Sequence, residues 1–112
     1  MRTQIQNPFI DWKRQTFGYL AVNRMGIAVS PNSKDACAWC ARGWIYRKFK
    51  NDNPLMAKIL NRFNVFMIDE HQRPITQLND VCKFTPRDFK VEFDKFMEKG
   101  GLLYGKKANG SG

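Results

Sequence analysis

Histidine occurs once, at His71, and cysteine three times, at Cys37, Cys40 and Cys82. So few cysteines, and an odd number of them, exclude the disulfide framework of a small secreted domain, and reduced thiols are expected. Acidic residues are scarce as well, ten against nineteen Lys and Arg, which leaves a net charge of +9. No apolar run approaches the roughly 20 residues that span a bilayer, and the opening residues 1–6 lack the apolar core of a signal segment. No membrane partner is expected, and the chain reads as a cytoplasmic protein. Glycines are scattered or lie at segment ends and in the tail, which excludes a Gly-rich phosphate loop. Asp69-Glu70-His71 falls in a predicted polar loop, so the lone histidine has no acid–base platform, and no small-molecule substrate or cofactor is evident.

Burial capacity is plentiful. Apolar residues make up 43% of the 112, and nine Phe, three Trp and three Tyr promise an aromatic core. That length suits one domain.

Helix start signals recur along the chain. Asn7-Pro8, Asn53-Pro54 and Thr85-Pro86 each set a capping residue before a proline, whose missing N–H costs nothing in a first helical turn. Phe9, Trp12, Phe17, Leu20 and Ala21 follow the first signal at helical spacing, with Gly18 as a weak point and Gly26 as the stop. Leu55, Met56, Ile59, Leu60, Phe63, Phe66 and Met67 follow the second. Phe89, Phe93, Phe96 and Met97 follow the third. Between Ile68 and Lys83, Pro74 forbids a continuous helix, and a loop with about one helical turn is expected.

The stretch from Asn32 to Lys50 is apolar or small on nearly every side from Ala36 to Tyr46, so a helix there must be covered by the others. The predicted fold is therefore all-α, a compact bundle of four helices over 8–25, 33–50, 54–67 and 85–99. It occupies 1–104 as a single domain. Leu102-Leu103-Tyr104 is expected to fold back on the core, and 105–112 reads as a flexible basic, Gly-rich tail.

Cys37-Ala38-Trp39-Cys40 has the C-x-x-C spacing, and His71 and Cys82 are the remaining residues that could complete a zinc site. A strong site shows a second closely spaced ligand pair. Here the other two stand alone, so no metal is expected and the cysteines read as small apolar packers. A thioredoxin-like redox role would need a strand–helix context that the sequence lacks.

Charge is uneven along the chain: residues 1–50 hold nine Lys and Arg against Asp11 and Asp35, whereas 51–112 hold ten against eight acids. Trp44-Ile45-Tyr46-Arg47-Lys48-Phe49-Lys50 sets cations beside aromatics, the combination that grips phosphates and stacks on bases. Arg42, Arg47, Lys48 and Lys50, extended by Arg14 and Arg24, form the candidate binding patch. The competing account places Trp44, Ile45 and Phe49 in the core and leaves the cations as partners of the helix dipole.

Cys40-Ala41-Arg42-Gly43-Trp44-Ile45, with Leu78-Asn79-Asp80, Thr85 and Phe93-Asp94-Lys95-Phe96, resembles a family of small uncharacterised bacterial and phage helical proteins. The shared pattern is a Cys-x-x-Gly-x-Ile helix, an Asn-Asp pair and a threonine-capped last helix. The resemblance implies a compact helical fold and a phage or mobile-element origin. Cys37 falls outside the pattern.

Three functions are expected in turn. The first is a small basic, non-enzymatic module for an anionic partner, most simply nucleic acid. The second is a phage-encoded docking factor, acting in the host cytoplasm, that binds an acidic host protein. The third is a small metal protein or enzyme built on Cys37, Cys40, His71 or Cys82.

Overall fold

The computed structural model describes residues 5–105. Its firmest element forms where the sequence signal is most local. Thr85 accepts the Asp88 N–H at 3.1 Å while Asp88 accepts the Thr85 N–H at 2.9 Å, a reciprocal capping box. Helix α4 runs on from it over Pro86–Glu98 and buries Phe89, Phe93 and Phe96 on one stripe.

Helix α2, Asn53–His71, carries the same logic at greater length. Its cap is Asp52, which accepts the Leu55 N–H at 3.1 Å. Ile59, Phe63, Phe66 and Met67 form its buried stripe. The helix runs past the expected end at Met67 and stops only where Gln72 turns left-handed, with Pro74 just beyond. Asp69, Glu70 and His71 thus lie in its last turns rather than in a loop. Helix α3, Ile75–Asp80, replaces the expected single turn. Asn64 of α2 caps it from outside by accepting the Ile75 N–H at 2.8 Å.

Helix α1 spans Ala41–Lys48 only. The predicted first half of that helix, 33–40, is instead a turn leading into strand β2, Ala38–Trp39. The predicted helix over 8–25 is absent. Asn7 does cap a turn, its side chain accepting the Phe9 N–H at 2.9 Å, but the chain leaves the helical path after Asp11. Gly18 then adopts a φ of 82°, which L residues avoid. Beyond it the chain enters strand β1, Ala21–Val22, paired antiparallel with β2. The architecture is therefore mostly helical, four helices with a small two-stranded sheet, and not all-α.

Hydrogen bonds from far along the chain hold the irregular N-terminal segment in place. Trp39 donates its N–H to Arg14 at 3.0 Å, Thr16 donates to Trp39 at 3.1 Å, and Cys40 donates to Leu20 at 3.1 Å. Asn7 reaches α4, donating to the Lys90 carbonyl at 2.8 Å and the Asp94 carboxylate at 2.9 Å.

The core is aromatic, as expected. Phe9 lies with its ring centre 6.0 Å from that of Phe63 and 5.8 Å from those of Phe89 and Phe93. Trp44 is anchored by donating its indole N–H to the Pro8 carbonyl at 2.6 Å. A short 3₁₀ turn, Gly101–Leu103, brings Tyr104 back onto Phe66 with ring centres 5.3 Å apart. The expected tail lies outside the described residues except for Gly105.

No helix among the described residues is long and apolar enough to cross a membrane.

Candidate functional site

Cys40, Gly43 and Asn79 meet at the start of α1. Cys40 is its N-cap, and its Sγ accepts the Gly43 N–H at 3.3 Å. Gly43 is buried where the Leu20 backbone crosses the helix, and a Cβ there would collide with the Leu20 carbonyl. The Cys-x-x-Gly spacing thus supplies a thiol cap and a crossing point three residues apart. Burial pushes the Cys40 thiol pKa up, against the opposing pull of the Gly43 and Arg42 backbone N–H groups. The neutral thiol is the favoured form, which suits a cap and not a nucleophile.

Asn79 completes this junction from α3. Its Oδ1 accepts from Ala41 N at 3.1 Å and from Gln15 Nε2 at 2.8 Å. Its Nδ2 donates to the Thr16 carbonyl at 3.0 Å and to the Asp80 carboxylate at 2.6 Å. Asn79 is 1% exposed, and an amide tolerates burial only when it is paired in this way.

The four candidate metal or redox side chains are dispersed. Cys37 precedes β2, Cys40 caps α1, Cys82 is exposed after α3, and His71 sits at the end of α2. His71 Nε2 lies 3.1 Å from Glu92 Oε1, and Lys95 lies 3.3 Å from the other oxygen of Glu92. This group ties α2 to α4. Among the described residues no three His, Cys, Asp or Glu side chains stand together as metal ligands would.

Three of the six cations of the candidate patch lie on α1 without sharing a face. At 100° per residue Arg42, Arg47 and Lys48 point to three different sides of α1. Arg47 turns inward, donating to the Pro31 and Ser33 carbonyls at 3.2 Å each, with its guanidinium 5.2 Å from the Trp39 ring centre. Lys48 pairs with Asp11 at 2.9 Å and lies over the Trp44 ring. Trp44 and Ile45 are core residues, so the basic-aromatic run 44–50 is not a continuous working face. Lys50, Arg14 and Arg24 are exposed. Arg24 occupies the turn between β1 and β2, next to Met25, which is 81% exposed.

Arg42 differs from its neighbours. It donates to the Tyr46 hydroxyl at 3.2 Å, has no carboxylate of the described residues within 4.0 Å, and stands between two clefts. The larger, about 470 Å³, lies between α2 and α3, with Asn61, Asn64 and Thr76 in its wall. The smaller, about 220 Å³, is bounded by Tyr19, Leu20, Cys40 and Asp80. Tyr19 and Phe17 are exposed rings on the segment beside this second cleft. Lys83 lies 4.1 Å from the Phe17 ring centre.

Sequence reasoning found Arg42 through its charge. It missed Asn61, Asn64, Thr76 and Tyr19, because scattered polar residues on separate elements leave no spacing to read. Comparison of the chain with protein-family models, curated proteins and solved structures gave no match in any of the three.

Proposed function

We propose that the protein is a non-enzymatic module that binds an anionic partner, and that this partner is single-stranded nucleic acid. The observation that carries the reading is the surplus of cations. Among the described residues, only Lys48, Lys95 and Lys99 of the Lys and Arg have a carboxylate within 4.0 Å. A folded chain gains nothing in stability from so many unneutralised cations, whereas a polyphosphate partner gains affinity by releasing counterions from each phosphate they meet. Rings next to cations, the exposed Phe17 with Lys83 and the half-buried Tyr46 with Arg42, supply the stacking surfaces that single strands use and duplexes do not. The module works in the cytoplasm, that of the host where the gene is carried by a phage.

Fluorescence anisotropy with a labelled single-stranded oligonucleotide and the matching duplex tests this reading. Binding at low salt that weakens steadily with added salt, and favours the single strand, is expected. No detectable binding to either at low salt would sink it.

One observation favours protein docking as a second reading. Met25 and Ile27, 81% and 57% exposed, crown the turn that Arg24 flanks, and an apolar tip beside a cation fits an acidic, amphipathic protein partner. Serine at both positions would abolish co-purification of such a partner while leaving oligonucleotide affinity intact.

A further inference from the structure

We infer that the cleft between α2 and α3 is the seat of a single nucleotide unit, with its phosphate on Arg42 and its base inside. This deepens the reading above and rests on it. Arg42 is the only charged side chain that lines the cleft, and the rest of the wall is neutral. One guanidinium in a neutral wall matches a ligand carrying one phosphate charge and an uncharged body.

The wall suits a base. Leu60, Val65 and Ile75 give it apolar contact area, while Asn61, Asn64 and Thr76 give it hydrogen-bonding groups. Asn64 is already oriented, because its Oδ1 is held by the Ile75 N–H and its Nδ2 is left to donate. A pre-set donor costs the ligand no side-chain ordering. At about 470 Å³ the cleft lies within the usual range of small-ligand sites.

The second cleft does not compete for the phosphate. Asp80 lines it and carries a negative charge there. Arg42 and Thr76 border both clefts, so a phosphate held by Arg42 lies at the ridge between them. The strand can leave that ridge past Tyr19. Lys58, Arg62 and Arg73 each adjoin a cleft residue in sequence, and among the described residues none has a carboxylate within 4.0 Å. Neighbouring phosphates therefore have cations to track along.

The test uses the full chain, a fluorescein-labelled 12-mer of thymidylate, and thymidine monophosphate as separate probes. Arg42→Gln removes the anchor, Asn61→Asp sets a carboxylate in the cleft from an exposed position, and Arg87→Gln removes an exposed cation of α4 that lies outside the cleft. The first two variants are expected to weaken oligonucleotide binding by roughly tenfold or more, as loss of a charge-assisted contact does, and Arg87→Gln by much less. Thymidine monophosphate at millimolar concentration should shift the amide resonances of Arg42, Asn61, Asn64 and Thr76 in wild type, and those shifts should disappear in Asn61→Asp.

If the oligonucleotide binds wild type while Asn61→Asp and Arg42→Gln bind as Arg87→Gln does, the cleft assignment is overturned and the nucleic-acid reading stands. Mononucleotide shifts confined to other residues overturn it equally. Shifts in the cleft with no oligonucleotide binding would make the ligand a free nucleotide, and the strand assignment falls. If neither probe binds wild type, both readings fall.

Discussion

Asn79 Oδ1 accepts the N–H of Ala41 at 3.1 Å, so the first turn of one helix is capped by a side chain from another, 38 residues further along. The same amide holds Gln15 and Thr16, and so ties two other segments to its own helix. Replacing Asn79 with alanine should therefore cost about 3 kcal/mol, since it strands several buried polar groups at once. Aspartate should be no better. It keeps the acceptor for Ala41, but it cannot donate to the Thr16 carbonyl and it places a second carboxylate beside Asp80. Urea denaturation of the three proteins measures both losses, and a midpoint for Asn79→Ala equal to wild type would show that the junction is not held this way.

Gly43 is expected to be intolerant of alanine even though it lies inside a helix, where alanine usually gains about 1 kcal/mol over glycine. The Leu20 carbonyl occupies the space of the new methyl group, and backbone cannot swing aside as a side chain can. Gly43→Ala should lose roughly 2 to 3 kcal/mol, a cost typical of overpacking. A thermal melt at or above that of wild type would contradict the crossing.

Arg47 and Arg42 should behave oppositely. Arg47→Gln gives up two contacts to backbone carbonyls and the stacking on Trp39, and should lower the melting temperature with little effect on oligonucleotide affinity. Arg42→Gln should lower affinity and leave the melt nearly unchanged. Parallel melts and anisotropy titrations separate the two, and a larger affinity loss for Arg47→Gln would reverse the assignment.

Thiol reactivity should track burial. Cys82 is exposed, Cys37 half-buried and Cys40 buried, and the Cys40 pKa is raised. Labelling with iodoacetamide at pH 8, read by mass spectrometry of peptides, should modify Cys82 first and Cys40 last, with Cys40 reacting freely only in urea. Early modification of Cys40 would be incompatible with its role as a cap.

Tyr104 donates its hydroxyl to Asp69 at 2.7 Å, and the hydrogen bond to that carboxylate, more than any burial, pushes its pKa up to about 12. A phenol whose folded pKa exceeds the unfolded 10.0 contributes stability that is complete below pH 10 and is lost as the pH climbs towards 12. Titration of the phenolate absorbance should show one tyrosine ionising last, and Asp69→Asn should bring it down towards the others.

How much of the fold was readable depended on how local each cause is. The capping box of Thr85 and Asp88 involves four consecutive residues, and the stripe from Leu55 to Met67 repeats every turn, so α4 and most of α2 could be read directly. Phe9 and Trp12 misled because a single turn also places residues three apart on one side. Nothing in their spacing reveals that Phe17 and Leu20 stay exposed or that Gly18 breaks the path. Strands of two residues, Ala21–Val22 and Ala38–Trp39, are too short to alternate. Arg42 was legible as a cation, whereas the cleft beside it comes from helix packing and leaves no trace in any one segment.

The wrapping of residues 5–40 around helices that come later in the chain has a consequence for biosynthesis. Phe9 needs Phe89 and Phe93, and Gln15 needs Asn79, so the part made first lacks these partners until the part made last has left the ribosome. Nascent chains that stop before Asn79 should be cut by protease throughout 5–40. Chains released whole should resist, and resistance at the shorter length would show that the segment orders without its partners. Such a chain emerges with its aromatic residues Phe9 and Trp12 unsheltered, and the interval before closure is when a chaperone, or another copy, would find them.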